Sequence, residues 1–271
     1  MRMGMAAMAG WVCVAILGSG TAAAQSGSPR EMVATLLVHE RAATEHKGLY
    51  QYTSKERSER TGGHLWTEKI VETRVGKVRM LLAEDGVPLS ADRIAQERGR
   101  LAGIVADPDG FAKKEQVLKN DEAKAKQMLE LLPKAFLFEN ARMEGGYERI
   151  DYRPNPDYQP QSLEERVLHG MKGSMLVEPK TVRLHRLEGV LPQDVSIGFG
   201  ILATIHAGSR FATERAGQSS GEWKTTLIDT DINGRAIFFK AISRSQHTEH
   251  SDFREVAGET SVVQAVALAE R

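Results

Sequence analysis

From Leu49 onward, most of the chain alternates apolar and polar side chains, as in the run Val78, Met80 and Leu82. This period of two places successive side chains on opposite faces of a β-strand. Short turn signals separate the alternating runs: Gly62-Gly63, Gly76, Gly86, Glu144-Gly145-Gly146 and Glu178-Pro179-Lys180. Together the runs and turns predict adjacent antiparallel strands, about eleven in number, with no internal repeat of fixed period.

The strongest hairpin signal in the chain is Asn233-Gly234. It lies between an alternating run that begins at Trp223 and another that begins at Arg235. Both residues tolerate the positive φ angles that a two-residue β-turn requires. We therefore expect the chain to reverse direction at Asn233-Gly234.

A helix is expected before the first strand. Ser28 can cap it, Pro29 suits its first position, and Glu31 stands three residues after the cap, so that free backbone N–H groups of the first turn find acceptors. Apolar residues follow at helical spacing, and Gly48 provides the stop signal. The sequence therefore predicts an N-terminal helix between Ser28 and Gly48.

A helical insertion is expected over residues 90–132. Pro88-Leu89-Ser90 introduces a charged helical stretch to about Val105, Asp107-Pro108-Asp109-Gly110 breaks it, and a second helix follows over residues 111–132. Acids are interspersed with the lysines of that second helix, which favours a solvated helical hairpin over a nucleic-acid or membrane surface. For the C-terminal tail, residues 257–271, the sequence leaves a short helix and a frayed end as alternatives.

Residues 1–24 have the pattern of a cleavable signal peptide. Arg2 precedes an uncharged stretch, and the small residues of Thr21-Ala22-Ala23-Ala24 end it at a suitable cleavage position. The alternative is a retained membrane anchor, but the strongly apolar part, residues 6–17, is shorter than the ~20 residues that span a bilayer. We therefore expect export to the periplasm, no integral membrane segment after cleavage, and a single domain over residues 25–256.

Composition excludes several classes of protein and of site. The chain has 36 basic and 36 acidic side chains, so it lacks the positive excess that binds a nucleic-acid backbone, and no nucleic-acid partner is expected. Its only cysteine is Cys13, inside the expected signal peptide, which leaves the mature chain without disulfides, thiolate metal sites or a cysteine nucleophile. With 41% apolar and 27% charged residues, the composition is that of an ordinary globular protein.

Two motifs suggest a cofactor or a metal, and we favour a structural interpretation of both. The segment 198–203 fits a dinucleotide-binding fingerprint, but that site also needs a helix that starts at the glycines within a parallel βαβ unit, and Gly208 interrupts any such helix. The segment 247–252 concentrates two histidines and two acids. On a strand, His247 points away from His250 and Asp252, so these side chains cannot converge on zinc. No cofactor and no metal are expected.

One pair of acids is a candidate for catalysis. Asp229 and Asp231 share a strand face and are of the residue types that serve as an acid and base pair in a hydrolase. Acids beside a predicted turn need no catalytic reason, and no His-Glu-x-x-His helix occurs in the chain. We therefore expect a protein that is not an enzyme, and a secreted hydrolase stays an alternative.

The order of these features resembles the LolA/LolB-like periplasmic lipoprotein-carrier fold. An opening strand with Tyr50-Gln51-Tyr52 follows the N-terminal helix, and a helical insertion comes next. Residues 173–184 then resemble two strands that meet at a Glu/Asp-x-x-Thr turn, here Glu178-Pro179-Lys180-Thr181. Residues 249–256 resemble the last strand of that fold. The resemblance is one of pattern and covers about residues 30–256.

The resemblance implies a curved antiparallel sheet that forms a half-open barrel, with helices at its mouth and an apolar cavity inside. It implies a periplasmic binding protein for a hydrophobic ligand, a lipid or a lipoprotein acyl chain, with a role in outer-membrane lipoprotein sorting. A sensor that contacts an envelope protein partner is the alternative on the same fold. Aromatic residues are the candidates to line such a cavity, with core packing as the competing interpretation: Tyr50, Tyr52, Trp66, Phe136, Phe138, Phe199 and Trp223.

Overall fold

The computed structural model describes residues 28–45, 47–197, 203–236 and 240–271. The described helices are α1 (Pro29–Glu45), α2 (Ala91–Ala106), α3 (Pro108–Ala135), α4 (Leu163–Gly170) and α5 (Val262–Ala269). The described strands are β1 (Leu49–Ser58), β2 (Trp66–Glu72), β3 (Lys77–Glu84), β4 (Val87–Pro88), β5 (Phe136–Glu144), β6 (Tyr147–Pro154), β7 (Lys172–Glu178), β8 (Arg183–Val190), β9 (Val195–Ile197), β10 (Ala203–Ile205), β11 (Arg210–Gly217), β12 (Trp223–Ala236) and β13 (Lys240–Val256).

All described strands belong to one 13-stranded sheet. Eleven of them follow the order β4-β3-β2-β1-β13-β12-β11-β8-β7-β6-β5, and the β9-β10 hairpin attaches to β12. Every pairing in the sheet is antiparallel. Because β4 and β5 at the two ends do not pair with each other, the sheet stays open as a half-barrel. This confirms the predicted mainly β, antiparallel fold.

The N-terminal helix α1 forms as its sequence predicts. The side chain of Ser28 accepts a hydrogen bond from the backbone N–H of Glu31, and the Glu31 carboxylate accepts one from the N–H of Ser28. The apolar side of α1 places Val33 and Leu36 in a buried cluster with residues of β5–β8 and the end of α3. Burial of Val33 and Leu36 holds α1 against the half of the sheet that contains β5 to β8.

A second cluster lies on the opposite face of the sheet, at the β2-β3 end. Val71 and Val78 pack there against Leu101 of α2, Phe111 of α3 and Val266 of α5. The C-terminal residues therefore form a packed helix, which decides between the two alternatives that the sequence leaves open. The side chain of Ser261 accepts from the N–H of Gln264, whose own side chain accepts from the N–H of Ser261, and this capping box starts α5.

Helix α3 is longer than predicted at both ends: it begins at Pro108 instead of residue 111, because the Asp107 side chain caps it, and it continues through Pro133 to Ala135. Proline in the last turn removes only one helical hydrogen bond. Continuation of the helix buries Leu132 and Ala135 against α1 and the sheet, and this burial outweighs the missing bond. The prediction that the helix ends at residue 132 was therefore wrong by one turn.

The predicted reversal at Asn233-Gly234 was also wrong. Both residues lie inside β12, where they pair with Ser243 and Ile242 of β13. Gly234 has another role: β10 pairs with this end of β12 and lies so close that a Cβ atom at this position would stand 2.5 Å from the carbonyl oxygen of Thr204. Glycine here permits the close approach of two backbones instead of a turn.

Side chains from α2 and α3 cover the exposed edge of β3. Glu97 accepts a hydrogen bond from the backbone N–H of Leu81, and Arg100 donates to the carbonyl oxygen of Arg79. Glu115 of α3 accepts from the N–H of Lys77. These contacts replace a neighbouring strand on the part of β3 that β4 does not pair with, and so they block pairing with another chain.

Candidate ligand-binding surface

One row of side chains runs across the sheet from β6 to β2. Residues that stand directly opposite each other on adjacent strands share a face of the sheet. The row, in order, is Ile150, Met175, Leu187, Thr213, Ile228, Thr248, Glu56 and Trp66. Because α1 packs on Ile150, Met175 and Leu187, we call this side of the sheet the α1 face.

The helices cover the α1 face only in part. On this face α1 contacts β5 and β8, whereas α2 and α5 pack on the opposite face, against Val71 and Val78. Among the described residues, no helix packs extensively on the central strands β12 and β13. The uncovered part of the α1 face, here called the central surface, consists of Phe211, Thr213, Ile228 and Thr230.

The side chains of the central surface are apolar or hydroxyl-bearing and partly buried, and the neighbouring Thr248 on β13 is 3% exposed. Its first side chain, Phe211, lies over Gly189 on β8. A Cβ atom at Gly189 would stand 2.7 Å from the ring of Phe211 and 2.6 Å from the hydroxyl of Tyr152. The glycine therefore lets the ring lie flat on the sheet, between the α1 cluster and the cluster that includes Met171 of α4.

A buried ion cluster borders the central surface on the α1 side. Glu40 of α1 accepts hydrogen bonds from Arg183 of β8 and from Arg215 of β11. Arg215 also donates to the carbonyl oxygen of Trp223, whose ring lies 5.9 Å from the guanidinium of Arg183. Burial raises the pKa of Glu40, but the two arginines outweigh that effect and hold its pKa below the ordinary value. The cluster therefore stays charged and fixes α1 to the sheet.

A second ion cluster borders the central surface on the β2 side. Arg60, from the loop after β1, donates to Glu56 and to Glu68. Its guanidinium lies 5.3 Å from the ring of Trp66. The indole N–H of Trp66 is buried and has no hydrogen-bond acceptor among the described residues. Buried donors without an acceptor are rare in folded proteins. The Trp66 indole N–H is therefore an unusual, unsatisfied donor at the border of the central surface.

An aromatic cluster closes the surface where β1 meets β13. Tyr52 lies 4.9 Å from the ring of His250 and 5.0 Å from that of Phe253. The Nδ1 atom of His250 bonds to the carbonyl oxygen of Thr225. Burial is the largest influence on His250 and lowers its pKa, because the protonated ring loses hydration there.

Beyond Tyr52, a buried lysine connects β12 to the start of β1. Lys224 is 6% exposed, and its Nζ atom lies 3.8 Å from the ring centre of Tyr50 and 3.1 Å from the Glu222 carboxylate. The hydroxyl of Tyr50 bonds to Ser220 at 2.5 Å. Burial raises the pKa of Tyr50, so this hydroxyl stays protonated at neutral pH.

The predicted site residues fall into separate groups. Tyr50 and Tyr52 share one buried cluster, whereas Phe136 lies deep in the α1 cluster with Phe138 packed on it. Trp66 and Trp223 lie beneath arginines at opposite borders of the central surface. Phe199 lies outside the described residues, and none of the other six lines either of the two best-formed pockets.

The residues that form the central surface were missed by sequence reasoning. Phe211, Thr213 and Arg215 alternate along β11, and Ile228 and Thr230 alternate along β12. This alternation is a signal for strands, and it does not tell which face the helices leave uncovered. Helix α4 was missed as well, although Ser162 caps it and Glu165 stands three residues later, a readable start signal.

The motifs weighed for metal, cofactor or catalysis stay apart in space. His247 bonds to Asp229 and Glu249 at the surface, while His250 is held on the α1 face. Among the described residues, no group of three or more histidines, cysteines or acids could hold a metal ion. Residues 198–202 of the dinucleotide-like motif lie outside the described residues, and the flanking strands β9 and β10 are antiparallel, unlike the strands of a βαβ unit.

Within the described part of the chain, no helix combines the length and the apolar character that crossing a membrane would require. Comparison with known proteins adds no assignment. The chain matches no protein-family model, no curated protein and no solved structure. The geometry of its own residues is therefore the basis for a functional proposal.

Proposed function

We propose that this protein is a non-catalytic binding protein of the periplasm whose ligand is a lipid or the acyl chain of a lipoprotein. The observation that carries the proposal is the central surface. A sheet face that packs on helices at one side and stays uncovered in the middle presents apolar area that a ligand can remove from water.

The chemistry of the central surface fits an acyl chain better than a polar ligand. Phe211 and Ile228 supply apolar contact, and Thr213 and Thr230 present methyl groups beside their hydroxyls. The Thr213 hydroxyl donates to the carbonyl oxygen of Leu227, so its polar atom is already used within the sheet. Each CH₂ group of an acyl chain that is buried on such a surface contributes about 0.8 kcal/mol.

The charged groups at the two borders support a positioning role. Arg183 and Arg215 both pair with Glu40, and Arg60 pairs with Glu56 and Glu68. Paired charges of this kind fix α1 and the β1-β2 loop on either side of the central surface. A ligand of limited width would then be held between them by apolar contact.

Adjacent residues of β12 allow a matched test. Ile228 belongs to the α1 face, whereas Leu227 pairs with Glu214 and Glu249 and faces the other side. We expect the wild-type protein, purified from the periplasm, to carry lipid in native mass spectrometry and to bind a fluorescent fatty acid. Ile228→Asp should weaken that binding by at least about tenfold, which corresponds to ~1.4 kcal/mol, and Leu227→Asp should leave it intact.

Several outcomes would contradict the proposal. One is a wild-type protein that carries no lipid and binds no fatty acid. Another is an equal loss of binding in the two variants, because both substitutions would then act through stability of β12. Circular dichroism of both variants establishes that they are folded before their affinities are compared.

A further inference from the structure

A separate pocket lies where α3 passes the rim of the sheet. It has a volume of about 190 Å³ and lies between α3, the turn that joins β2 to β3, and the segment before β1. Basic side chains and two leucines are among the residues that line it: Lys47, Arg74, Lys77, Lys119, Leu49 and Leu118. We call it the rim pocket.

The close approach of α3 to the sheet depends on Gly76 in the β2-β3 turn. A Cβ atom at this position would stand 2.2 Å from Cγ of Glu115. With glycine there, Glu115 reaches the backbone N–H of Lys77 at 2.8 Å and the guanidinium of Arg79 at 2.9 Å. The pocket wall is therefore built by specific contacts between distant parts of the chain.

Both carboxylates of the rim pocket are already engaged. Glu115 is paired with Arg79. The Glu72 carboxylate accepts a hydrogen bond from the backbone N–H of Tyr50 and lies 3.7 Å from Nζ of Lys224. Lys224 does not line the pocket. The two acids that line the pocket therefore pair with Arg79 and Lys224, and not with Arg74 or Lys119.

Two of those positive charges have neutral partners. Arg74 donates to the carbonyl oxygens of Lys47 and Gly258. Lys119 donates to the carbonyl oxygen of Arg74 itself. Carbonyl oxygens orient these cations but leave their charge uncompensated, and a bound anion would compensate it. Arg74 is exposed, so an anion can reach it from solvent.

We propose that the rim pocket binds a phosphate group. A pocket of about 190 Å³ has room for a tetrahedral anion together with water molecules. Arginine and lysine are the side chains that bind phosphate through charge-assisted hydrogen bonds. The phosphate belongs either to a lipid headgroup or to a free ion, and Leu49 and Leu118 would contact the first carbons of a lipid. The proposal does not require an acyl chain on the central surface.

The test uses the full-length protein and two probes. Inorganic phosphate is titrated at constant ionic strength, with isothermal calorimetry as the readout. Vesicles of phosphatidylglycerol are compared with vesicles of phosphatidylcholine in a flotation assay. Lys47→Ala/Lys119→Ala should weaken binding of the effective probe by at least about tenfold, since a charge-assisted hydrogen bond contributes ~1.5–3 kcal/mol. The matched control is Lys113→Ala/Lys114→Ala, which removes two exposed lysines of α3 that do not line the pocket.

Phosphate binding that the control retains and the pocket variant loses supports a free-ion site. Binding only to phosphatidylglycerol, with the same dependence on the variants, supports a headgroup site. No binding of either probe, unchanged binding in the pocket variant, or equal loss in the control overturns the proposal. If the double variant does not fold, Lys47→Ala alone provides the test of phosphate binding. Its folding should be unaffected, because the Lys47 side chain is exposed and makes no hydrogen bond or ion pair among the described residues.

Discussion

Nε of Arg183 donates a hydrogen bond of 2.8 Å to Oε1 of Glu40, and this bond joins α1 to β8 at the border of the central surface. Arg215 of β11 pairs with the other carboxylate oxygen. Both partners in the Arg183 pair are largely buried, with 11% and 16% of their side chains exposed. The cluster thus links the N-terminal helix to two strands that are distant from it in sequence.

We expect Glu40→Gln to lower the free energy of unfolding by about 3 kcal/mol, because it leaves two buried guanidinium groups without a counter-charge. Urea denaturation measures this change. The control is Glu130→Gln, which breaks the exposed pair with Arg41 and should cost less than about 1 kcal/mol. Equal losses in the two variants would mean that the buried cluster contributes no more than a surface pair.

The lowered pKa of Glu40 predicts that the stability of the folded protein depends on pH in the acidic range. Its pKa lies below the ordinary value of 4.5 in the folded protein. The stabilisation it provides is therefore present above pH 4.5 and is lost as the pH falls through the folded pKa. Between pH 5 and pH 3, the wild-type protein should lose stability more steeply than Glu40→Gln. If stability falls equally steeply with pH in the wild type and in Glu40→Gln, the acid dependence does not come from Glu40.

His250 predicts a second dependence on pH, in a higher range. Burial lowers the pKa of His250 below its ordinary value of 6.5, so the unfolded chain binds a proton that the folded chain excludes. Stability should therefore decrease as the pH falls below 6.5 toward the folded pKa. His250→Gln should flatten this part of the curve in thermal unfolding at several pH values. An unchanged slope would assign the effect to other groups.

Gly234→Ala tests the close approach of β10 to β12. The new methyl group would meet the carbonyl oxygen of Thr204, and we expect a loss of about 2 kcal/mol in the free energy of unfolding. Gly99→Ala is the control, because α2 has open space at that position, and alanine there should stabilise the helix by ~0.5–1 kcal/mol. A neutral Gly234→Ala would show that the two backbones separate easily.

Glu97→Ala tests the protection of the β3 edge. Without the Glu97 carboxylate, the N–H of Leu81 loses its acceptor. Loss of about 1 kcal/mol of local stability should make this amide exchange with deuterium roughly fivefold faster, and light scattering should show more aggregation. Arg98→Ala changes a neighbouring exposed residue of α2 and should alter neither measurement.

The beginnings of the helices were predictable because their signals are local. Ser28, Ser90 and Asp107 each precede a helix whose first turn they cap. The same kind of signal, Ser162 with Glu165 and Ser261 with Gln264, marks α4 and α5. Both helices are short, so their apolar periodicity is weak; reading the caps first would have found α4 and would have favoured the helix among the two alternatives for the C-terminal tail.

The central surface could not be predicted in the same way. The alternating residues of β11 and β12 predict strands. The sequence pattern does not distinguish Ile228, which faces the central surface, from Leu227, which faces the other side. Their difference arises from the pairing of β12 with its neighbours and from the position of α1 on one side of the sheet. The aromatic candidates that the structure describes lie in several separate clusters for this reason, since aromatic character does not tell on which face or in which cluster a ring lies.

The sequence alone determined that the chain forms antiparallel strands with a capped N-terminal helix and a helical insertion, because periodicity and capping act within a few residues. Tertiary structure alone decided that α3 continues through Pro133 and that the middle of the α1 face stays uncovered. It also decided that Gly234 permits the close pairing of β10 with β12 and does not form a turn. Each of these depends on contacts between segments far apart in the chain, whose burial and close approach override local preference.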